Sequence, residues 1–372
     1  TYHSNQSITP GTRVAVKFGR TNKLGIVTEV INNTDIKTKP IHMVVDDLPV
    51  FSKTELKIFK WASDYYLHPI GEVIGSFLPT NLRQTKNIFE VETIIDRRKI
   101  IEKNLEFKTK LNSEQVKAVE FLNNLKGFLP TLLYGVTGSG KTEVYIRCIY
   151  EQLLNNKSVL VLAPEIALTP QLESRLRDQF GDLVGIYHSK MTPSARYKTW
   201  KKFRSGKIKV IIGTRSAVMM PAPRLGLIII DEEHDSSYKQ QKGFKFSARD
   251  IAIKRAQIIK IPIILGSATP SLRTLKLVKE KKFATIRLTK RVTQKSPPKF
   301  TILDINDVQL VSGLAPQAID AIRQTLNQKK QAMIFINRRG FAPQFICSYC
   351  EWKAMCNSCD SSLVFHHQAA QL

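Results

Sequence analysis

The chain has 372 residues, 42% of them hydrophobic, enough for two or three domains with cores of their own. No apolar run is long enough to cross a bilayer, and the N-terminus lacks the charged-then-apolar pattern of a signal peptide, so a cytoplasmic protein with no membrane partner is expected. Lys and Arg outnumber Asp and Glu by 57 to 31, a formal charge of +26, which points to a polyanion partner and to nucleic acid first.

Residues 13–18 alternate as a strand does, 19–23 read as a turn, and 24–30 as the returning strand. Arg13, Lys17, Arg20 and Lys23 crowd this hairpin, either as a DNA-facing surface or as a solvated face. Residues 53–66 are helical in pattern and end in the aromatic cluster Trp61, Tyr65 and Tyr66. His68-Pro69-Ile70-Gly71 breaks that helix, with His68 in a structural role. Residues 81–110 are polar and basic and read as a linker carrying one helix. Asn112 or Ser113 then caps a new helix. Gln115, twenty residues ahead of Gly135, is a capping residue or, at the place where helicases carry such a Gln, a reader of the adenine edge.

Gly135, Val136, Thr137, Gly138, Ser139, Gly140, Lys141 and Thr142 fit G-x-x-x-x-G-K-[ST], the phosphate-binding loop. An apolar strand precedes it and a helical pattern follows, as the motif requires. Glycines let backbone N–H groups curl around an anion, and the helix N-terminus adds positive dipole. Lys141 then reaches the β- and γ-phosphates of ATP, and the Thr142 hydroxyl holds Mg²⁺. Further strands read at 158–163, 209–213, 227–230 and 261–265. Their near-continuous apolar runs suit a parallel sheet buried on both faces, hence an α/β fold. Pro262 restricts the last of them to an edge or a first position. Cys148, beside the loop, reads as a small buried thiol.

The strand at 227–230 delivers Asp231, Glu232, Glu233 and His234 to its carboxyl end, where ligands of such sheets bind. Asp231 is suited to Mg²⁺ and Glu232 to the attacking water. Gly213-Thr214-Arg215-Ser216 ends another strand with groups suited to phosphate oxygens. Gly266-Ser267-Ala268-Thr269 ends a third with hydroxyls suited to a relay, and Pro164-Glu165 a fourth. Residues 238–246 interleave aromatics with cations, a composition on which bases stack while lysines take the backbone. Residues 196–204 repeat it at helical spacing, which favours Trp200 and Phe203 as core contacts.

These stretches, with residues 163–171 and the entry 337–343, resemble the PriA family (primosomal protein N′), bacterial superfamily 2 helicases of replication restart. The resemblance runs from Gly11 onward. It implies a RecA-like ATP-binding lobe at 111–290, a 3′-end DNA-binding domain at 1–80, a shortened winged-helix region at 81–110, the start of a second lobe at 291–346 and a partial zinc-binding region at 347–372. It implies an ATP-driven 3′→5′ DNA helicase that recognises forked and single-stranded DNA and works with primosome and replication-restart proteins. In it Lys141, Asp231 and Glu232 serve catalysis, His234 links hydrolysis to the DNA site, and the segment 238–246 senses single-stranded DNA. The chain reads as a truncated member; the alternative is a DNA- and nucleotide-binding module without effective turnover.

Cys347-x-x-Cys350 and Cys356-x-x-Cys359 have the spacing of Zn²⁺ ligands. Read locally, the four close one tetrahedral site across a tight loop. The resemblance implies instead that each pair joins a further pair downstream, giving two zinc sites.

Overall fold

The computed structural model describes residues 1–83, 105–164, 169–292, 299–335 and 346–363, the last without 348, 351 and 360. They fall into two units, Thr1–Lys295 and Ser296–Leu372. In the first unit a short strand β1 (Tyr2–His3) is followed by β2 (Arg13–Phe18), β3 (Thr21–Ile26) and β4 (Lys39–Val44), which form a small sheet in the order β1-β4-β2-β3. Gly19 adopts φ +58° and Phe18 pairs with Thr21, so the turn is tighter than 19–23 and the return strand starts at Thr21, not Leu24. Left-handed backbone at a glycine is what a two-residue hairpin needs. Arg13 does not face outward. It is fully buried and forked onto Asp46, Nε at 2.8 Å and Nη2 at 2.5 Å, with Nη1 donating to the Leu82 carbonyl.

Helices α1 (Lys53–Tyr65) and α2 (Ile70–Phe77) come next. A Ser52–Glu55 capping box starts α1. His68 is structural: its ring lies 5.1 Å from that of Phe244 and its Nε2 is 2.8 Å from Glu72. The expected linker begins with a 3₁₀ turn at Thr80–Arg83, and residues 84–104, with the expected winged-helix remnant, lie outside the described residues.

The larger α/β lobe runs α3 (Ser113–Asn123), β5 (Pro130–Gly135), α4 (Lys141–Leu154), β6 (Ser158–Leu162), α5 (Thr169–Phe180), β7 (Val184–Tyr187), α6 (Pro193–Arg204), β8 (Val210–Gly213), β9 (Leu225–Ile230), α7 (Ala248–Ile259), β10 (Ile263–Ser267), α8 (Leu272–Lys279) and β11 (Ala284–Leu288). The seven strands form one parallel sheet in the order β11-β5-β10-β9-β6-β8-β7. Its apolar runs divide residue by residue between two cores. Leu160, Leu162, Ile211, Ile228, Ile230, Ile263 and Leu265 face one. Val159, Val161, Val210, Ile212, Leu227, Ile229 and Ile264 face the other. Period-two alternation with both faces apolar is the signature of a doubly covered sheet. Strand β10 is interior, between β5 and β9, and begins after Pro262, so the missing N–H of that proline costs the ladder nothing. Trp200 and Phe203 are fully buried, as helical spacing predicts.

The first core continues through α1 and α2. Phe51, Ile58, Phe59, Val73, Phe77 and Leu82 share one cluster with Trp200, Phe203, Ile251 and Ile263. The N-terminal segment is thus part of the large sheet's covering layer. Arg204 of α6 seals the seam by donating to the carbonyls of Val50 at 2.7 Å and Pro49 at 2.8 Å.

The second unit carries helix α9 (Pro316–Asn327) and two small hairpins closed by the bridges Ile346–Lys353 and Met355–Ser362. Among the described residues no helix is long and apolar enough to cross a membrane.

Candidate nucleotide site

Three elements build the site: the turn from β5 into α4, the end of β9 and the end of β10. Strand β5 hands the chain to Gly135 with its side-chain face already occupied. A Cβ at Gly135 would strike the Ser139 hydroxyl and the Lys141 stem, so only glycine lets the loop fold back on itself. Gly138 and Gly140 adopt φ +79° and +78°. Gly140 is the N-cap of α4, which places Lys141 at the first helical position. The eight loop residues therefore surround the positive end of a 14-residue helix. Ser139 Oγ is buried and has no hydrogen-bond partner among the described residues. Gln115 sits behind the loop. Its Oε1 accepts from the Asn112 N–H and completes a capping box, while its Nε2 donates to the Ser139 carbonyl at 2.9 Å.

Lys141 Nζ donates to the Gly135 carbonyl at 3.0 Å and lies 3.7 Å from Glu232 Oε1. The loop and the acidic end of β9 thus meet across one intervening strand, β10. A cleft of about 740 Å³ opens here, lined by Thr142, Pro164, Gln171, Arg175, Asp231 and Glu232. Glu165 and residues 166–168 lie outside the described residues.

Asp231 is held by Tyr145 of α4, whose hydroxyl donates to its Oδ1 at 2.9 Å. Burial pushes the Asp231 carboxyl above the usual range, the neighbouring Glu232 adds to the rise, and the Tyr145 hydrogen bond and the Lys141 charge oppose it. The Tyr145 phenol is driven well above its ordinary value, again mainly by burial. A Cβ at Gly266 would overlap the Tyr145 hydroxyl, so β10 needs a glycine where α4 leans on the sheet. Glu232 itself sits in left-handed backbone at φ +44°, an uncommon conformation for a non-glycine residue.

Glu233 points the other way, into the protein. It is buried, and its carboxylate accepts from Arg249 Nε at 2.8 Å, Thr274 Oγ1 at 2.8 Å and the Ser271 N–H at 2.7 Å. His234 Nδ1 and Ser267 Oγ are 2.8 Å apart, and its Nε2 lies 3.4 Å from Thr269 Oγ1. The ends of β9 and β10 are thereby joined by one imidazole. Sequence reading missed Tyr145 and the Glu233 network. Tyr145 had a usable signal, one helical turn after Lys141 on the face of α4 toward the sheet; Glu233 had none, because its partners come from α7 and α8.

The aromatic segment 238–246 corrects an expectation. Tyr238, Phe244 and Phe246 are buried, not offered to bases. The Tyr238 hydroxyl donates to the carbonyls of Asp231 at 2.6 Å and Leu162 at 3.0 Å. Phe244 packs against Tyr66 and Phe77, and Phe246 against Phe77, with ring centroids 5.2 to 6.3 Å apart. The Tyr66 hydroxyl accepts from the Ser247 N–H at 3.2 Å. Helices α1 and α2 cover the rings, while the lysines 239, 242 and 245 of this segment remain exposed.

The cysteine pairs Cys347/Cys350 and Cys356/Cys359 lie in the second unit. Each pair occupies its own hairpin turn, and among the described residues no three metal-binding side chains come together. The N–H groups of Cys350 and Tyr349 turn onto the Cys347 sulfur and draw its pKa down, and the Ser361 hydroxyl and N–H do the same for Cys359. Cys148 is buried, and burial pushes its thiol up to about 12.

Comparison with known proteins agrees with this layout. The 3′DNA-binding domain family matches residues 1–79, and the DEAD/DEAH box helicase family matches residues 112–278. The replication restart protein PriA of Rickettsia prowazekii is 37% identical over 367 residues, covering 97% of this chain and 55% of its own length. PriA of Haemophilus influenzae is 33% identical, covering 97% of this chain and 60% of its own. PriA of Chlamydia trachomatis is 42% identical over 264 residues, 69% of this chain. Among solved structures, RecG bound to a three-way DNA junction covers 60% of this chain and 28% of its own at 22% identity, with a TM-score of 0.41, too remote to carry weight. The chain spans somewhat over half the length of the first two of these relatives. With a RecA-like parallel sheet behind a 3′DNA-binding domain, it belongs to the PriA family of replication restart proteins.

Proposed function

We propose that this chain is the DNA-recognising and ATP-binding part of a 3′→5′ DNA helicase that acts at stalled forks during replication restart. The observation that carries the reading is the approach of Lys141 to Glu232, 3.7 Å, at the mouth of a cleft whose loop offers a helix N-terminus and a Ser139 hydroxyl without a partner among the described residues. Residues 135–142 cradle the phosphates, and Lys141 leaves the Gly135 carbonyl for the β- and γ-phosphate oxygens. Thr142 and Asp231 would hold Mg²⁺, which would neutralise charge on the phosphates. Glu232 orients the attacking water. His234, between Glu232 and the hydroxyls of Ser267 and Thr269, passes the state of the nucleotide to the DNA-facing strand ends. Gln115 braces the loop from behind, and it would read the adenine edge only by releasing the Asn112 N–H or the Ser139 carbonyl. We assign residues 1–80 to 3′-end binding, 81–110 to a linker, 111–290 to the first motor lobe and 291–346 to the start of a second.

Forked and single-stranded DNA are the substrates of this reading, primosome and replication-restart proteins its partners, and the cytoplasm its compartment. Each CxxC pair would supply two thiolates to a separate Zn²⁺, a reading supported by the N–H groups turned onto Cys347 and Cys359. ATP hydrolysis measured with and without forked DNA tests the function. Turnover that rises with DNA and disappears in Lys141→Ala supports it; DNA-independent turnover that survives the substitution contradicts it.

A further inference from the structure

Glu114 occupies the first turn of α3, next to Gln115, where an acidic side chain favours its own helix N-terminus. Its carboxylate reaches elsewhere. Oε2 accepts from the Thr289 N–H at 2.7 Å and from the Lys290 N–H at 3.2 Å, and Oε1 accepts from the Thr289 hydroxyl at 2.7 Å. These donors lie just past β11, Thr289 being 175 residues further along the chain. Hydrogen bonds to an ionised carboxylate are the strong kind, and two oxygens engaged at once fix direction as well as distance. The Thr289 hydroxyl in particular holds the Glu114 carboxyl below its ordinary range.

What Glu114 grips is a strap, residues 289–292, laid along the phosphate loop. The carbonyl of Leu288, the last residue of β11, accepts from the Val136 N–H at 3.3 Å, and the Val292 N–H donates to the Gly138 carbonyl at 2.9 Å. Gln115 Nε2 takes the next carbonyl, that of Ser139. A Cβ on Gly140 would meet Gln115 Nε2 and Val292 Cγ2 together, so α3 and the strap stand on one side of the loop. In a planar trans peptide the C=O and the N–H point opposite ways. Holding the Gly138 and Ser139 carbonyls therefore sets the directions of the Ser139 and Gly140 N–H groups. An anion cradle depends on such directions. Residues 289–292 are exposed and lie outside any strand or helix, so Glu114 supplies the tie that packing does not.

We propose that Glu114 is a positioning residue of the nucleotide site: it clamps the strap 289–292 and, through the Val292 N–H, keeps the phosphate loop in the shape that receives a triphosphate. The proposal rests on the ATP-binding reading above and adds Glu114, Thr289 and Val292 to it. Glu114 touches no phosphate and makes or breaks no bond; its effect falls on nucleotide affinity. Linkage makes that effect reciprocal, so a filled loop holds the strap more tightly by the factor that the clamp adds to affinity.

The test measures the affinity of the full chain for a fluorescent, non-hydrolysable Mg²⁺–ATP analogue, together with amide exchange over residues 288–292. Glu114→Ala is expected to weaken the analogue about tenfold, within the usual range of coupling between sites. In the parent the analogue should slow exchange of the Val292 amide by about the same factor. Glu114→Gln should restore the affinity, because its Oε1 can accept from the Thr289 N–H while its Nε2 donates to the Thr289 hydroxyl. Thr289→Val strikes the same contact from the strap and should weaken binding in the same direction; it carries the comparison should Glu114→Ala fail to fold. A lower melting temperature in Glu114→Ala with unchanged affinity overturns the proposal, as does strap exchange in the parent that ignores the analogue. Binding by Glu114→Gln as weak as by Glu114→Ala overturns it too. A parent that binds the analogue no better than its three variants sinks the proposal alone. A parent that binds no analogue at all sinks the ATP-binding reading, and the proposal with it.

Discussion

Asp231 shows how this site trades stability for chemistry. Its carboxyl is raised by burial and by Glu232, so the folded chain keeps that proton to higher pH than the unfolded chain does. More protons bound in the folded state means that stability falls as pH rises from the ordinary Asp range through the raised value, and the cost is fully present above it. Asp231→Asn removes that cost and retains an acceptor for the Tyr145 hydroxyl. Its melting temperature is expected to exceed the parent's at neutral pH, with the gap closing as pH drops through the window. Scanning calorimetry at several pH values checks this, and Mg²⁺-dependent nucleotide protection is expected to be lost in the same variant. Tyr145→Phe has the opposite sign. It strips a buried carboxylate of its donor and is expected to cost about 1–3 kcal/mol in a denaturant titration. The phosphate loop was legible at this scale because an anion cradle needs its glycines and its lysine within eight consecutive residues. Gln115 was legible as a cap for the same local reason.

Elements were legible to the degree that their period was set by neighbours in the sequence. The interior strands β6, β8, β9 and β10 declare themselves by unbroken apolar runs. The outer strands β7 and β11 do not: β11 alternates exposed and half-buried residues, and β7 is four residues long. The aromatic segment is the instructive failure. Its composition reads as a stacking surface for bases, but its cover, Tyr66 and Phe77, comes from a part of the chain some 180 residues earlier, with Tyr66 and Ser247 181 apart. Nothing local announces such a partner. Arg13 is the same case, taken from the surface by Asp46. If Phe244 is a packing residue, Phe244→Ala should cost about 3–5 kcal/mol and raise amide exchange in α1 and α2 together. A base-stacking residue on the surface would weaken DNA binding with little change in stability.

At the scale of the molecule, the N-terminal segment and the large parallel sheet share a core, and the second unit carries paired thiols. For the metal, we expect zinc in the purified protein by atomic emission, and each of Cys347→Ser and Cys359→Ser should reduce it independently. A single shared ion would be lost in full to either. The joint core further predicts that the 3′DNA-binding region and the nucleotide-binding lobe unfold together rather than in two steps. Relatives of this chain fix its family through two regions that the structure joins along α1, α2 and the buried rings. What the account needs above all is that the loop at 135–142 grips a triphosphate opposite Asp231 and Glu232. The direct measurement is the melting temperature with Mg²⁺ and a non-hydrolysable ATP analogue, for the parent and for Lys141→Ala. The account predicts a saturable rise in the parent, dependent on Mg²⁺ and absent in the variant. No rise in the parent, or an equal rise in both, would contradict it.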